Sequence, residues 1–123
     1  MIFLSVLEDA QLKQKLFIEN NIPINENSSC VTAKEKEEIL GYCLFDIQKE
    51  KIVIRHIVPQ NDLSLADGIL RSTLHVAAER FIMNAYYEKE EMTSFFNALN
   101  FIKSVEEKSL NMDKLFTSCQ SCK

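Results

Sequence analysis

Three residues that could handle protons lie near strand ends in the second half of the chain. His56 lies in the apolar run KIVIRHIV, and Tyr86 and Tyr87 end the short run NAYY. A histidine can take a proton from an amine near neutral pH, and a tyrosine hydroxyl can return one to a leaving group. Packing in the core is the alternative use of all three side chains, because strand alternation makes these faces partly apolar.

A second set of candidate bases lies around the run ILGYCLFDI. Glu37, Glu38 and Asp46 carry carboxylates that could accept a proton from an amine. Glu37 and Glu38 belong to the charged stretch KEKEE, which a solvated turn explains better than a catalytic site does.

Four cysteines are present, at Cys30, Cys43, Cys119 and Cys122. Their irregular spacing and the lack of an export signal predict reduced thiols. Cys119-x-x-Cys122 supplies two of the four ligands that a structural zinc site needs, so a site would require the other two cysteines to converge on it. We therefore predict no metal site.

The elements that must position these residues begin with an apolar strand at residues 2–6, which we expect to be buried. Ser5-x-x-Glu8 fits a capping box and predicts that a helix starts there. Its predicted inward-facing side chains are Leu12, Leu16 and Ile18. Three strands at residues 30–33, 39–47 and 52–58, separated by short polar turns, then predict an antiparallel meander.

The strongest helix pattern covers residues 66–81. Its apolar stripe consists of Ile69, Leu70, Thr73, Leu74, Ala77, Ala78 and Phe81. Because one helix connects the strand at 52–58 to the next at 84–87, we expect these two strands to be parallel. A helix at residues 90–99 and a closing hairpin or short helix complete the prediction. The fold class is α+β, with a mixed, mostly antiparallel sheet and helices on both faces.

Length and composition narrow the function. A chain of 123 residues suits one domain spanning residues 1–123. A net charge of −4 with interspersed signs argues against bulk nucleic-acid binding, which needs a basic face. No apolar run approaches the roughly 20 residues that span a bilayer, and no signal peptide is evident. We expect a cytoplasmic protein with no membrane or nucleic-acid partner, and a homodimer is one alternative for its assembly.

Four segments in this order resemble the GNAT superfamily of acyl-CoA-dependent N-acyltransferases. ILGYCLF is similar to the third strand of the family, and IRHIVP to its fourth. ADGILRSTL is similar to the start of the helix that binds pyrophosphate, and FFNALNF to the closing motif of the family. The resemblance covers the chain from about residue 39 to its end.

The resemblance implies acetyl-CoA or another acyl-CoA as cosubstrate. In the family the fourth and fifth strands separate, and the pantetheine arm of the cosubstrate bonds to the open edge of the fourth. In this chain that position corresponds to Ile57 and Val58. The family holds the pyrophosphate at the start of the following helix. The matching residues here are Ser64, Leu65, Ala66, Asp67 and Gly68.

The chain departs from the family at two places that matter for chemistry. Asn61 and Ser64 stand where the phosphate loop usually has a cation and a glycine. Phe96 stands where the family often has the tyrosine that protonates the leaving thiolate, and phenylalanine has no proton to give. The first hypothesis is therefore an N-acyltransferase that modifies an amine of a small molecule or protein. The alternative is a catalytically weak or inactive GNAT-like module that binds CoA, regulates or contacts another protein.

Overall fold

A computed structural model describes residues 1–117, which form one seven-stranded mixed sheet with helices. The strands are β1 (Ile2–Val6), β2 (Ser28–Glu35), β3 (Glu38–Ile47), β4 (Ile52–Val58), β5 (Ala85–Tyr87), β6 (Ile102–Ser104) and β7 (Ser109–Leu110). They lie in the order β1-β2-β3-β4-β5-β7-β6. The predicted meander is confirmed, because β1 to β4 pair antiparallel. The predicted parallel pairing of β4 and β5 is confirmed too. The predicted α+β fold class, with a mixed and mostly antiparallel sheet, is therefore confirmed.

The first helix, α1 (Ala10–Glu19), begins later than the capping box predicts. Asp9 is its N-cap, and the Asp9 carboxylate accepts hydrogen bonds from the backbone N–H groups of Gln11 and Leu12 at 3.0 and 3.1 Å. Ser5 instead lies in β1, since pairing with β2 satisfies its backbone better than a cap would. The inward face also differs, because Phe17 is fully buried while Ile18 is 64% exposed.

The long helix, α2 (Leu63–Ala78), lies across β1 to β4 and buries most of the predicted stripe. Phe81 is the exception. It follows the helix with a φ of 62° and is 93% exposed. The helix ends before it: Ile82 N–H donates to the Ala77 carbonyl oxygen, the capping bond expected of a chain that leaves a helix through a left-handed residue.

After β5 the chain forms a 3₁₀ turn (Glu90–Met92) and a short helix, α3 (Thr93–Ala98). Strands β6 and β7 form the closing hairpin, and a last helix, α4 (Lys114–Thr117), follows it. The sequence left a hairpin and a short helix as alternatives for this region, and the structure contains both. Among residues 1–117, no helix is long and apolar enough to cross a membrane.

Two hydrophobic clusters hold the sheet. The larger contains the α2 stripe, alternate residues of β2 to β5 and the aromatic side chains of α3. The smaller lies under α1 and includes Leu16, Phe17, Cys30 and Leu44. The prediction that the first strand is buried is wrong: all five residues of β1 are exposed. This strand is at the edge of the sheet, where neither cluster extends over it.

Candidate functional site

The ladder between β4 and β5 ends halfway along β4. Only Ile52, Val53 and Ile54 pair with β5. The last backbone contact is the Glu88 N–H, which donates to the Ile54 carbonyl oxygen at 3.0 Å. β4 continues to Val58, so its second half has no strand beside it on that edge within the described residues. We call this divergence of β4 from β5 the fork.

β4 carries a bulge where the fork begins. Phe45 lies opposite Ile54 and Leu44 lies opposite His56, so Arg55 is an extra residue in β4. In an antiparallel ladder, the backbone groups of successive residues point to alternate edges, and one extra residue exchanges the two sets. The bulge therefore decides which backbone groups of β4 the fork receives.

By this alternation, the N–H and carbonyl groups of Ile57 face the fork. The Ile57 carbonyl oxygen accepts a bond from the Gln60 side-chain amide at 3.3 Å, which agrees with that direction. Val58 is the next residue of the ladder, so by the same alternation its backbone groups are turned to β3, where it lies opposite Tyr42. Of the two residues expected to bind the arm, the structure thus turns Ile57 to the open edge and Val58 away from it.

A glycine allows the end of β4 and the body of α2 to approach β3 closely. A Cβ atom built on Gly41 would collide with the Val58 carbonyl oxygen and would lie 2.7 Å from Pro59 Cδ and 2.8 Å from Ile69 Cδ1. The Val58–Pro59 peptide bond is cis. Gly41 is therefore required where strand and helix meet, independently of any ligand.

Two pairs of side chains connect the strands across the fork. The Arg55 guanidinium contacts the Asp46 carboxylate at 2.8 Å and the Glu88 carboxylate at 3.0 Å. Asp46 also accepts a hydrogen bond from the Ser28 hydroxyl at 2.8 Å. Arg55 and Asp46 are only 10% and 9% exposed at their side chains, so this is a buried ion pair. Arg55 belongs to β4 and Glu88 follows β5, which ties the two strands together where their backbones separate.

The second pair is His56 and Lys89. Lys89 Nζ lies 3.1 Å from His56 Nδ1. Burial lowers the pKa of His56 below its ordinary value of 6.5, the Lys89 ammonium lowers it further, and Glu91 opposes this effect. His56 is therefore neutral at pH 7 and able to accept a proton. Since the ammonium group is a donor only, His56 Nδ1 accepts from Lys89, and the proton of the neutral ring is on Nε2. The ring can therefore take up a second proton only at Nδ1, after Lys89 has left it.

The N-terminus of α2 is capped by the chain itself. The Asp62 carboxylate accepts a bond from the Leu65 N–H at 3.1 Å, and the Asp62 carbonyl accepts one from the Ala66 N–H at 2.9 Å. The helix begins at Leu63, so the N–H groups of Asp67 and Gly68 lie inside it, at positions bonded to carbonyls one turn earlier. Only Leu63 and Ser64 keep N–H groups at the free end. The N–H groups of Leu65, Ala66, Asp67 and Gly68 are thus directed to partners within the chain, and the role of residues 64 to 68 in binding the pyrophosphate stays a prediction.

This arrangement of strands resembles known structures, although the sequence does not. No protein-family model matches the chain, and no characterised protein matches it by sequence. The ribosomal-protein-S18-alanine N-acetyltransferase from Escherichia coli superimposes with a TM-score of 0.57 at 11% identity, covering 89% of this chain and 88% of that one. A mutant of the AtaT toxin bound to the C-terminus of the antitoxin AtaR gives 0.58 at 12% identity, covering 97% of both chains. YhhK from E. coli, solved bound to coenzyme A, gives 0.52 at 14% identity over 85% of this chain and 93% of that one.

The chain has the GNAT acetyltransferase fold. The expected resemblance is confirmed at this level, since identities of 11 to 14% support a common fold and no more. Within the GNAT fold, the fork of this chain is the opening between the fourth and fifth strands, and the capped end of α2 is the start of the helix after it.

The fork and the helix end differ in how well they suit a CoA thioester. An extended, neutral pantetheine arm can pair with the Ile57 backbone as an added strand would. A diphosphate needs donors or cations, and the helix end supplies two N–H groups beside the Asp62 carboxylate. Residues 59–68, PQNDLSLADG, contain no lysine or arginine. The residues present therefore fit the arm better than the diphosphate.

The two candidate tyrosines, Tyr86 and Tyr87, lie away from the open part of the fork. Tyr87 is 2% exposed, and its hydroxyl is 2.7 Å from the Thr93 hydroxyl. Its ring packs on Phe96 with centroids 4.9 Å apart. Tyr86 pairs with Val53 in the closed half of the ladder. Both positions favour packing over the proton transfer that the sequence left open.

The remaining candidates are also accounted for. Glu37 and Glu38 are exposed in a turn and at a strand end, and Asp46 is held by Arg55. Arg71 lies on α2 and could reach a phosphate by its length, but it pairs with Asp67 at 2.8 Å and is not directed at the helix end.

The cysteines give no metal site among the described residues. Cys30 belongs to the smaller cluster and Cys43 to the larger, so the two thiols lie in different parts of the core. Burial raises the pKa of Cys30 to about 12, which keeps it a thiol. Cys119 and Cys122 lie outside the described residues.

Sequence reasoning missed the roles of Arg55, Glu88 and Lys89. A signal for Arg55 is present: Arg55 and His56 are the two polar residues of an apolar strand, and a buried arginine needs a carboxylate partner. Glu88 and Lys89 follow β5 without any local pattern. Their roles depend on the fork, which local sequence does not reveal.

Proposed function

We propose that the chain is an acyltransferase that moves an acyl group from a CoA-type thioester to an amine. The observation that carries the proposal is the fork, where the bulge at Arg55 turns the Ile57 backbone to an open strand edge. A neutral base, His56, lies one residue away on the same strand. The GNAT fold and its presence in YhhK, which was solved with coenzyme A, support the choice of cosubstrate.

The reaction proposed is direct attack. The amine nitrogen would bond to the thioester carbonyl carbon, and the carbon–sulfur bond would break. The amine proton would pass to His56 Nδ1 once Lys89 has moved away from that nitrogen. The one N–H of Ile57 would polarise the thioester carbonyl, and the arm would pair with the Ile57 carbonyl oxygen. Lys89 is the nearest proton donor to His56 and could return a proton to the departing thiolate, since Phe96 cannot. Positioning would supply most of the rate.

The first experiment measures binding. We expect acetyl-CoA at 100 times its dissociation constant to add about 2.7 kcal/mol to the free energy of unfolding. Acetyl-pantetheine, which lacks the diphosphate and nucleotide, is the matched ligand. We expect it to bind within about tenfold of acetyl-CoA, since the helix end adds little. No stabilisation by either thioester at millimolar concentration would reject the proposal.

The second experiment measures transfer. The protein is incubated with acetyl-CoA and a panel of amines, including peptides with a free N-terminus, and release of the CoA thiol is followed. His56→Gln should slow release without weakening acetyl-CoA binding, because glutamine keeps a polar side chain but accepts no proton at neutral pH.

A second function has its own support. The Asp62 cap and the buried Phe96 both depart from what acyl transfer needs, and they favour a GNAT-like module that binds a thioester or a protein without turnover. Stabilisation by acetyl-CoA together with no thiol release across the amine panel would select this alternative.

A further inference from the structure

β1 is an edge strand without the usual protection. All five residues, IFLSV, are exposed, and four of them are apolar. Phe3 is 62% exposed and Ile2 is 45% exposed. Edge strands normally avoid pairing with other chains through charges, prolines or bulges, and β1 contains none of these.

The free backbone groups of β1 can be identified. The Leu7 N–H donates to the Cys30 carbonyl oxygen at 2.8 Å, so Leu7 and every second residue before it face β2. Ile2, Leu4 and Val6 therefore direct their N–H and carbonyl groups outward, away from the sheet.

The opposite edge of the sheet is different. β6 has only three residues, Ile102–Ser104, and one of them is Lys103. Its register with β7 is also irregular between Ile102 and Ser104. These are the features that prevent pairing at an edge, so of the two outer strands of the sheet in residues 1–117, β1 is the one without protection.

We propose that two copies of the chain pair through β1, antiparallel about a twofold axis at Leu4. This register places Leu4 opposite Leu4 of the second copy, and Ile2 opposite Val6. All three outward-facing residues of each copy then exchange backbone hydrogen bonds, and their apolar side chains meet on the face that α2 covers. Phe3 lies opposite Ser5 on the other face. A second copy suits this edge because the strand is complementary to itself.

The exposed area of β1 and its lack of charged residues are compatible with pairing to a second copy of the chain. The four apolar residues of β1 are 39 to 62% exposed, which corresponds to a small interface, at or below the limit of about 1,000 Å² for a specific one. No charged residue lies within β1, and the first carboxylate after it, on Glu8, would lie beyond the paired segment. We therefore expect a reversible dimer, not a permanent one.

The experiment is sedimentation velocity on the full chain from about 5 to about 500 μM, a range that covers the weak affinity of a small interface. We expect the sedimentation coefficient to rise from monomer to dimer. Leu4→Lys places two ammonium groups together at the axis and should keep the protein monomeric. Val105→Lys, at a 57% exposed apolar residue beside β6, is the matched control and should still dimerise. If Leu4→Lys fails to fold, as judged by circular dichroism, Phe3→Lys replaces it.

A cross-link tests the register. Phe3→Cys combined with Ser5→Cys, in a chain also carrying Cys119→Ser and Cys122→Ser, should form a covalent dimer on mild oxidation. Either cysteine substitution alone should not, because Phe3 lies opposite Ser5 and not opposite itself. A monomer at every concentration, a dimer that Leu4→Lys leaves intact, or a covalent dimer from one substitution alone would overturn the proposal.

Discussion

The fork and the N-terminus of α2 are adjacent in the chain, and they treat their own backbone groups in opposite ways. At the fork, the bulge at Arg55 turns the Ile57 backbone to an edge with no strand beside it. At the helix end, the Asp62 carboxylate takes the Leu65 N–H. One end of the candidate site is thus open, and the other is partly closed by a side chain of the same chain.

The difference teaches which part of a ligand this chain can recognise. An open strand edge selects for an extended backbone-like ligand, whatever its charge. A helix end selects for an anion only when its donors are free and no carboxylate competes. The chain keeps the first feature and weakens the second.

The largest effect is expected where the fork is tied together. Arg55→Met should lower the free energy of unfolding by about 3 kcal/mol, because it leaves the Asp46 carboxylate buried without its cation. The matched change near the helix end is Arg71→Met. Its pair with Asp67 is 27% and 33% exposed, so we expect a loss of about 1 kcal/mol. Urea unfolding measures both losses. Equal losses would mean that burial of the Arg55–Asp46 pair does not increase the cost of breaking it.

The next largest effect is expected at Phe96, whose ring packs on Tyr87 at the end of β5. Phe96→Tyr should lower stability by about 2 kcal/mol, because Phe96 is fully buried and a new hydroxyl there would lack a partner. Turnover should not rise, since the ring does not reach the open edge. Thermal unfolding and thiol release are the measurements. A faster variant would mean that Phe96 does approach the thioester.

At the helix end, Asp62→Asn should raise affinity for acetyl-CoA by about threefold to tenfold, because it removes a negative charge near the diphosphate. Stability should change by less than about 0.5 kcal/mol, since asparagine caps a helix as well as aspartate. Affinity for acetyl-pantetheine should not change. Asp67→Asn is the control, and an equal gain there would argue for a general charge effect. Calorimetric titration measures all three.

The smallest effect concerns pH. Because the pKa of His56 is lowered in the folded chain, the unfolded chain binds the proton more readily. The contribution of His56 to stability is therefore present above its unfolded value of 6.5 and is lost as pH falls below it. His56→Gln should remove this loss, a difference below about 1 kcal/mol between pH 7.5 and 5.5. Urea unfolding at the two pH values measures the effect, and an equal change in the free energy of unfolding for the parent and His56→Gln would contradict the prediction.

The elements were largely predictable, and the details that form the site were not. The meander and the parallel β5 follow from apolar runs and short polar turns, which are local signals. Ser5 was assigned to a helix cap although it lies in β1, because pairing with β2 outweighs the capping signal. Phe81 fits the helical stripe by spacing, yet it lies beyond the helix end and is exposed.

Among the site residues, Ile57 and His56 could be proposed because they lie on a strand that resembles the fourth strand of the GNAT family. Tyr87 could not be excluded in advance, since the burial of its hydroxyl against Thr93 depends on how α3 packs. Lys89 could not be predicted to meet His56, because the two are 33 residues apart and meet only across the fork.

Periodicity and turn residues act over a few positions, and they were enough to predict the order of the elements along the chain, the antiparallel meander and the crossover to β5. The register of β3 on β4, and with it the extra residue at Arg55 that turns Ile57 to the fork, was set by the folded structure. The folded structure also decided that Asp62 caps α2 and that β1 is an exposed edge. Register, capping geometry and burial each depend on which distant residues meet, and that is a property of the folded chain.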